Sequence, residues 1–119
     1  MHARQRLGRW GEAVAVKYLT QHGWSIVDRN WYCHGGEIDI IARRDTEWLF
    51  VEVKTRRSLR SGGPATAWSY RQRCKLQLAI GLYIERADLP ATADWRMALV
   101  TVRPKGMAMA MVQLIWPEE

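Results

Sequence analysis

Asp39, Glu52 and Lys54 interrupt or end two runs that are otherwise apolar, Ile38–Ala42 and Trp48–Val53, on either side of a polar turn at Arg43–Glu47. Runs of this length and composition read as strands. A charge inside a strand that is hydrophobic on both faces costs free energy unless it is paired or binds a metal. Side chains two apart share a face, so Glu52 and Lys54 point the same way. If the turn closes with Arg43 opposite Trp48, Asp39 stands opposite Glu52, with Cβ atoms about 4.5–5.5 Å apart, and Glu37 stands opposite Lys54. Two carboxylates at that spacing repel each other. A divalent cation between them would remove the repulsion, and hard oxygen ligands suit Mg2+ or Mn2+. The register is decisive, because a slip of one residue turns every side chain to the other face.

Other elements must position these groups. Leu7–His22 is predicted to be a helix with Leu7, Trp10, Val14 and Tyr18 facing inward and Ala15, Val16 and Leu19 widening the stripe. At 100° per residue Glu12 lies within about 60° of Ala15, Val16 and Leu19, beside the inward face. There it can reach the Asp39–Glu52 pair, or serve instead as a capping or ion-paired glutamate. Gly8 and Gly11 lower helix propensity and permit close approach to another backbone. Gly23 is a helix stop. Trp24–Tyr32 reads as a strand with a bulge at Asp28–Asn30, and Cys33–Gly36 as a turn. Thr55–Thr66 is a basic loop broken by Gly62-Gly63-Pro64, and Ala67–Arg86 a second helix whose inward face is Trp68, Leu76, Ala79, Ile80 and Tyr83. Trp95–Val102 and Met107–Ile115 are the last strands, joined by a turn at Arg103–Gly106. The methionines at 107, 109 and 111 alternate with alanine and valine, which reads as a packing stripe and not a copper site. The element order is therefore α-β-β-β-α-β-β, an α/β chain.

At 119 residues this is one domain, residues 1–119, with 1–6 and 117–119 expected to be loose. No apolar run reaches the length of a membrane span and no secretory pattern opens the chain, so a cytoplasmic protein is expected. Cys33 and Cys74, and likewise His2, His22 and His34, make no zinc-like spacing. The formal net charge is +6, and from Lys54 to Lys75 there are seven basic residues and no acid. That segment, with Arg56, Arg57, Arg60, Arg71, Arg73 and Lys75, suits a phosphate backbone, although a solubilising surface has the same composition.

The pattern D-(12 residues)-E-x-K, formed by Asp39, Glu52 and Lys54 within the order helix, strand, hairpin, helix, strand, resembles the PD-(D/E)xK nuclease superfamily. It is closest to the YraN-like family of small bacterial proteins, related in fold to Holliday junction resolvases. The specific parts are Gly8, Gly11, Glu12 and Ala15; Arg29-Asn30; Gly36–Ala42; and Phe50–Arg56. The resemblance implies a restriction-endonuclease-like fold, a central mixed sheet of about five strands flanked by helices. It implies Asp39 and Glu52 as metal-binding carboxylates, Lys54 as the catalytic lysine, Glu12 as a further acidic ligand and Gln72 as a supporting polar residue. Ile38 stands in place of the eponymous proline, Thr66 in place of an acid after Pro64, and Met97-Ala98 where an aspartate is usual. None of these departures touches Asp39, Glu52 or Lys54.

The expected chemistry is Mg2+- or Mn2+-assisted hydrolysis of a DNA phosphodiester, selective for structure and not for sequence, on branched or single-stranded DNA. The alternative is a nucleic-acid-binding module that keeps the fold without cleaving. A third reading makes the Glu37–Asp39 and Glu52–Lys54 charges internal ion pairs of a purely structural protein. By analogy with resolvases, which cut two symmetric strands, a homodimer is expected.

Overall fold

The computed structural model describes residues 2–57, 68–106 and 109–117. Two helices, α1 (Ala3–Gln21) and α2 (Tyr70–Arg86), flank one sheet of β1 (Ser25–Cys33), β2 (Gly36–Arg44), β3 (Glu47–Thr55), β4 (Asp94–Lys105) and β5 (Met109–Ile115). The strands lie in chain order, β1-β2-β3-β4-β5. Only β3 and β4 run parallel, because the connection between them passes through α2, while tight turns make the other pairs antiparallel. The mixed α/β layout and the α-β-β-β-α-β-β order are as the sequence predicts.

Each face of the sheet carries its own core. On one, Ala15 and Leu19 of α1 pack with Trp24, Ile40, Ala42, Leu49, Val51, Ala98, Val100 and Val102. On the other, Leu76, Ala79, Ile80 and Tyr83 of α2 pack with Trp68, Ile41, Trp48, Phe50 and Leu99. The inward face predicted for α2 is the observed one. Tyr83 sits at its centre, with the rings of Trp31, Trp48 and Phe50 at 5.3, 6.3 and 5.6 Å.

Several boundaries differ from the sequence reading, each for a local reason. α1 begins at Ala3, four residues before the predicted Leu7, where Gln5 accepts a hydrogen bond from the His2 N–H; residues 3–6, expected to be loose, form its first turn. Its fully buried line is Gly11, Ala15 and Leu19; Ala15 and Leu19 belong to the predicted inward face, and Val14, Val16 and Tyr18 of that face pack half-buried on the same core, whereas Trp10 is exposed. Small side chains let a helix lie closer to a sheet than bulky ones do. α2 starts at Tyr70 because Ser69 caps it: Ser69 Oγ accepts from the Gln72 N–H, and the Gln72 side chain accepts from the Ser69 N–H. The β1 bulge falls between Ile26 and Asp28, before the expected Asp28–Asn30, although Asn30 does take a left-handed φ of 52°. β4 continues through the predicted turn, pairing Pro104 with Ala110. Pairing with β3 has ended by Val102, so Pro104 lies on a stretch with one neighbour, where a missing N–H is tolerated. The turn moves to Gly106, whose φ is 76°. Met109 and Met111 are exposed, so the expected packing stripe is instead formed by the alternate residues Ala110, Val112 and Leu114, which pack towards α1; Met107 lies outside the described residues. Among the described residues no helix is long and apolar enough to cross a membrane.

Candidate functional site

The β2–β3 ladder has the predicted register, Arg43 opposite Trp48 and Ile40 opposite Val51, and then stops. The next pair, Asp39 with Glu52, does not form as a backbone pair. Instead Asp39 Oδ2 accepts the Val53 N–H at 2.8 Å, a side chain taking the place of a neighbouring strand. Alternation breaks at the same point: Ile38 packs with Ile41 in the α2-side core, while Ile40 packs in the α1-side core. The strands part here, and the gap is a cleft of about 450 Å3.

Glu12, Glu37, Asp39, Glu52, Lys54, Gln72 and Lys75 all line it, together with Gly35 and Gly36. Asp39, Glu52 and Lys54 therefore face one space and not opposite sides of the sheet. α1 delivers Glu12 by an unusually close approach. A Cβ on Gly11 would overlap the Thr55 side chain of β3, so only glycine lets the helix lie where it does. Gly36 shows that the other wall is also close, since a Cβ there would meet Lys75 O and Ala79 at 3.7 Å.

Of the four carboxylates in the cleft, Asp39 and Glu37 are made harder to ionise, by burial first and by their acidic neighbours after it. Asp39 shows this most strongly: burial first, then the charges of Glu37, Glu12 and Glu52, push its carboxyl from an ordinary 3.8 to about 7, against the opposing hydrogen bond from Val53. Glu37 is raised as well, by burial and then by Glu12 and Glu52, with Lys54 opposing. Two cations answer this charge. Lys54 Nζ lies 3.0 Å from Glu52 Oε2, and Arg29 Nη2 lies 3.8 Å from Glu12 Oε1. The chain motif contains Arg29, but sequence reasoning assigned it no role; the available signal was a guanidinium in a strand facing the helix that carries Glu12.

Among the described residues no three Asp, Glu, His or Cys side chains converge closely enough to hold an ion by themselves. The donor chemistry nevertheless fits a hard divalent cation. Mg2+ commonly takes one or two carboxylates and completes its shell with water and phosphate oxygens. The residues that would hold it are Asp39 and Glu52, with Glu12 beyond them.

The predicted phosphate-binding residues divide. Lys75 lines the cleft. Arg56 and Arg57 are exposed just after β3, and Arg71 is exposed on α2. Arg73 is half-buried, with its guanidinium 5.7 Å from the Tyr70 ring and its Nε buried without a hydrogen-bond partner. Arg60 lies outside the described residues, as does most of the loop it belongs to. Gln72 lines the cleft but commits its side-chain oxygen to the Ser69 N–H.

The model of the uncharacterised protein family UPF0102 matches residues 11–102, which span the whole cleft from Glu12 to Lys75. The chain belongs to the UPF0102 family. This is the YraN-like family that the motifs resemble. A UPF0102 protein of Roseiflexus castenholzii is 38% identical over 99 residues, covering 83% of this chain and 80% of that protein. One from Frankia alni is 37% identical over 107 residues, covering 89% of each. One from Syntrophomonas wolfei is 42% identical over 81 residues, covering 68% of this chain and 70% of its own. As a UPF0102 member the chain shares a fold-length likeness with these proteins, not merely a motif.

Proposed function

We propose that this UPF0102 protein is a member of the PD-(D/E)xK superfamily and hydrolyses DNA phosphodiesters with the help of Mg2+ or Mn2+, selecting DNA by shape. The supporting observation is the parting of β2 from β3 at Asp39, which turns three predicted catalytic side chains and Glu12 into one cleft. A carboxyl that burial, with three neighbouring acids behind it, lifts to about 7 is a place where a cation is gained at a net benefit. A bound divalent ion would supply an activated water and charge neutralisation at the phosphate.

The chain's own groups have separate tasks. Asp39 and Glu52 offer oxygens on the two parted strands. Lys54, 3.0 Å from Glu52, would be freed if that carboxylate held a cation, and its ammonium would then be available to offset negative charge developing on a phosphate. Arg29 holds Glu12 at the rim. Lys75 and the exposed Arg56, Arg57 and Arg71 fix the backbone of the nucleic acid without reading bases.

A second reading, a DNA-binding module that does not cleave, is favoured by two observations: Glu52 is already paired with Lys54, and no three-ligand set is assembled among the described residues. One panel separates the two. Wild type and Asp39→Ala are assayed for binding and cleavage of four-way, flapped, single-stranded and linear DNA, with and without Mg2+ or Mn2+. Metal-dependent nicking that disappears in Asp39→Ala, with binding kept, supports the enzyme. Binding without cleavage on every substrate leaves the module.

A further inference from the structure

Charge is spread unequally between the two ends of the sheet. Where β3 and β4 begin, Arg43, Arg44 and Arg96 stand against Asp45, Glu47 and Asp94, and the two signs balance. Where these strands finish, the acids are those of the cleft. Outside the cleft, the charged residues described at that end are all cations: Arg4 and Arg9 among those of α1, Arg56 and Arg57 after β3, and Arg103 and Lys105 of β4.

The fold collects them from three remote stretches. Gly11 approaches Thr55 at the end of β3, while Arg44 donates to His22 O beside its start, so α1 runs against β3 and its first turns continue past it. Val102 pairs with Thr55 and its carbonyl accepts the Arg56 N–H, which brings the tail of β4 alongside Arg56. A helix in a folded protein is normally held by an apolar face packed on a neighbour. The core does little for the first turns of α1, since no described residue before Gly11 is buried. Residues 2–11 hold three arginines and no acid. Arg4, Arg9 and Lys105 are exposed and in no ion pair among the described residues. Glu12, the residue after Gly11, already lines the cleft. From Arg4 to Glu12 the helix rises about 12 Å, a length over which one strand of a B-form duplex presents roughly three or four phosphates.

We propose that Arg4, Arg9 and Lys105 form a second phosphate-contact surface, over which the backbone of a nucleic acid seated in the cleft continues beyond it. The proposal deepens the reading of the cleft as a DNA site and rests on it. The occupant is a polyanion because the surface is cationic throughout, and it is a nucleic acid because the surface borders a cleft whose chemistry suits a phosphodiester. Arg103 is not assigned to it, since its guanidinium donates to Met111 Sδ. Contacts of this kind add affinity by releasing counterions and read no bases.

Binding of a labelled DNA duplex, measured without divalent metal over a salt series, tests the surface. Arg4→Gln, Arg9→Gln and Lys105→Gln each flatten the slope of log affinity against log salt by about one unit, and the triple variant by about two to three. Lys17→Gln, which removes an exposed cation from the other half of α1, leaves the slope unchanged. The rise in melting temperature with Mg2+ is the same in every variant, because the carboxylates of the cleft are untouched, and the metal-free melts show that each variant is folded. A wild-type slope in the triple variant overturns the proposal and leaves the cleft reading standing. Binding with the expected slopes but no nicking of DNA supports the surface and removes only the nuclease reading. A wild type that binds no DNA but adheres to phosphatidylglycerol vesicles gives the cations to a membrane surface and overturns the proposal.

Discussion

The β2–β3 hairpin carries charge at both of its ends, and the two ends have settled it in opposite ways. At the turn, Glu47 pairs with Arg44 at 3.5 Å and with Arg96 of β4 at 3.3 Å. Arg44 lies 4.2 Å over the Trp24 ring and donates to His22 O at the end of α1, and Arg96 lies 4.6 Å over Trp116. Arg44 and Arg96 each have a carboxylate and an aromatic face. At the open end, four carboxylates share one cleft with Lys54 and Lys75, Arg29 reaches Glu12 from outside it, and Asp39 carries the excess as a carboxyl that resists ionising. The first arrangement ties α1, the hairpin, β4 and the C-terminal residues together. The second is left electrostatically uncomfortable, which a folded protein tolerates where something else is meant to bind.

If that contrast is right, changes at the turn end cost stability and spare activity, and changes at the cleft do the reverse. Trp24→Ala has the largest effect: removing a buried ring from beneath Arg44 costs about 3–5 kcal/mol by chemical denaturation, with cleavage per folded molecule unaltered. Asp39→Asn lowers metal-dependent cleavage by about 100-fold or more in a nicking assay, and it raises the metal-free melting temperature at pH 8, because the strained charge is gone.

The pH dependence comes next. Asp39 is raised in the fold above its unfolded value, so the folded state binds the proton more tightly. Metal-free stability is therefore highest below about pH 4 as far as this group is concerned, and is lost as pH climbs through about 7. The loss is on the order of 4 kcal/mol across that window, absent in Asp39→Asn, and read from melts in matched buffers. Added Mg2+ raises the melting temperature at pH 8 and barely at pH 5; an equal shift at both would remove Asp39 from the ligand set. Arg44→Ala is the smallest change. It loses the stack on Trp24, the bond to His22 O and one partner of Glu47, for about 1 kcal/mol and no change in nicking.

The hairpin was the most legible part of the chain. Apolar runs around a short polar turn admit few registers, and only one keeps Ile40, Ala42, Leu49 and Val51 on a common face. The α2 face was legible for the same reason, since Leu76, Ala79, Ile80 and Tyr83 repeat at helical spacing. α1 was legible apart from Trp10, which hydrophobicity places inward and the structure leaves exposed, because the helix docks through Gly11, Ala15 and Leu19. β5 misled because a stripe of methionines looks like core, and only the sheet's extent shows that β5 is an edge strand with Met109 and Met111 exposed.

Local pattern, then, was enough to determine the order of elements, the pairing of β2 with β3 and the common side of Glu52 and Lys54. These depend on periods of two and 3.6, which neighbours along the chain impose on one another. Three things were decided only by the tertiary structure: that the ladder opens at Asp39, that Glu12 arrives through the Gly11–Thr55 contact, and that Glu47 is answered by an arginine 49 residues further on. Each depends on how closely a helix settles on the sheet or on which distant strand lies alongside, and burial energy summed over the whole core sets those distances.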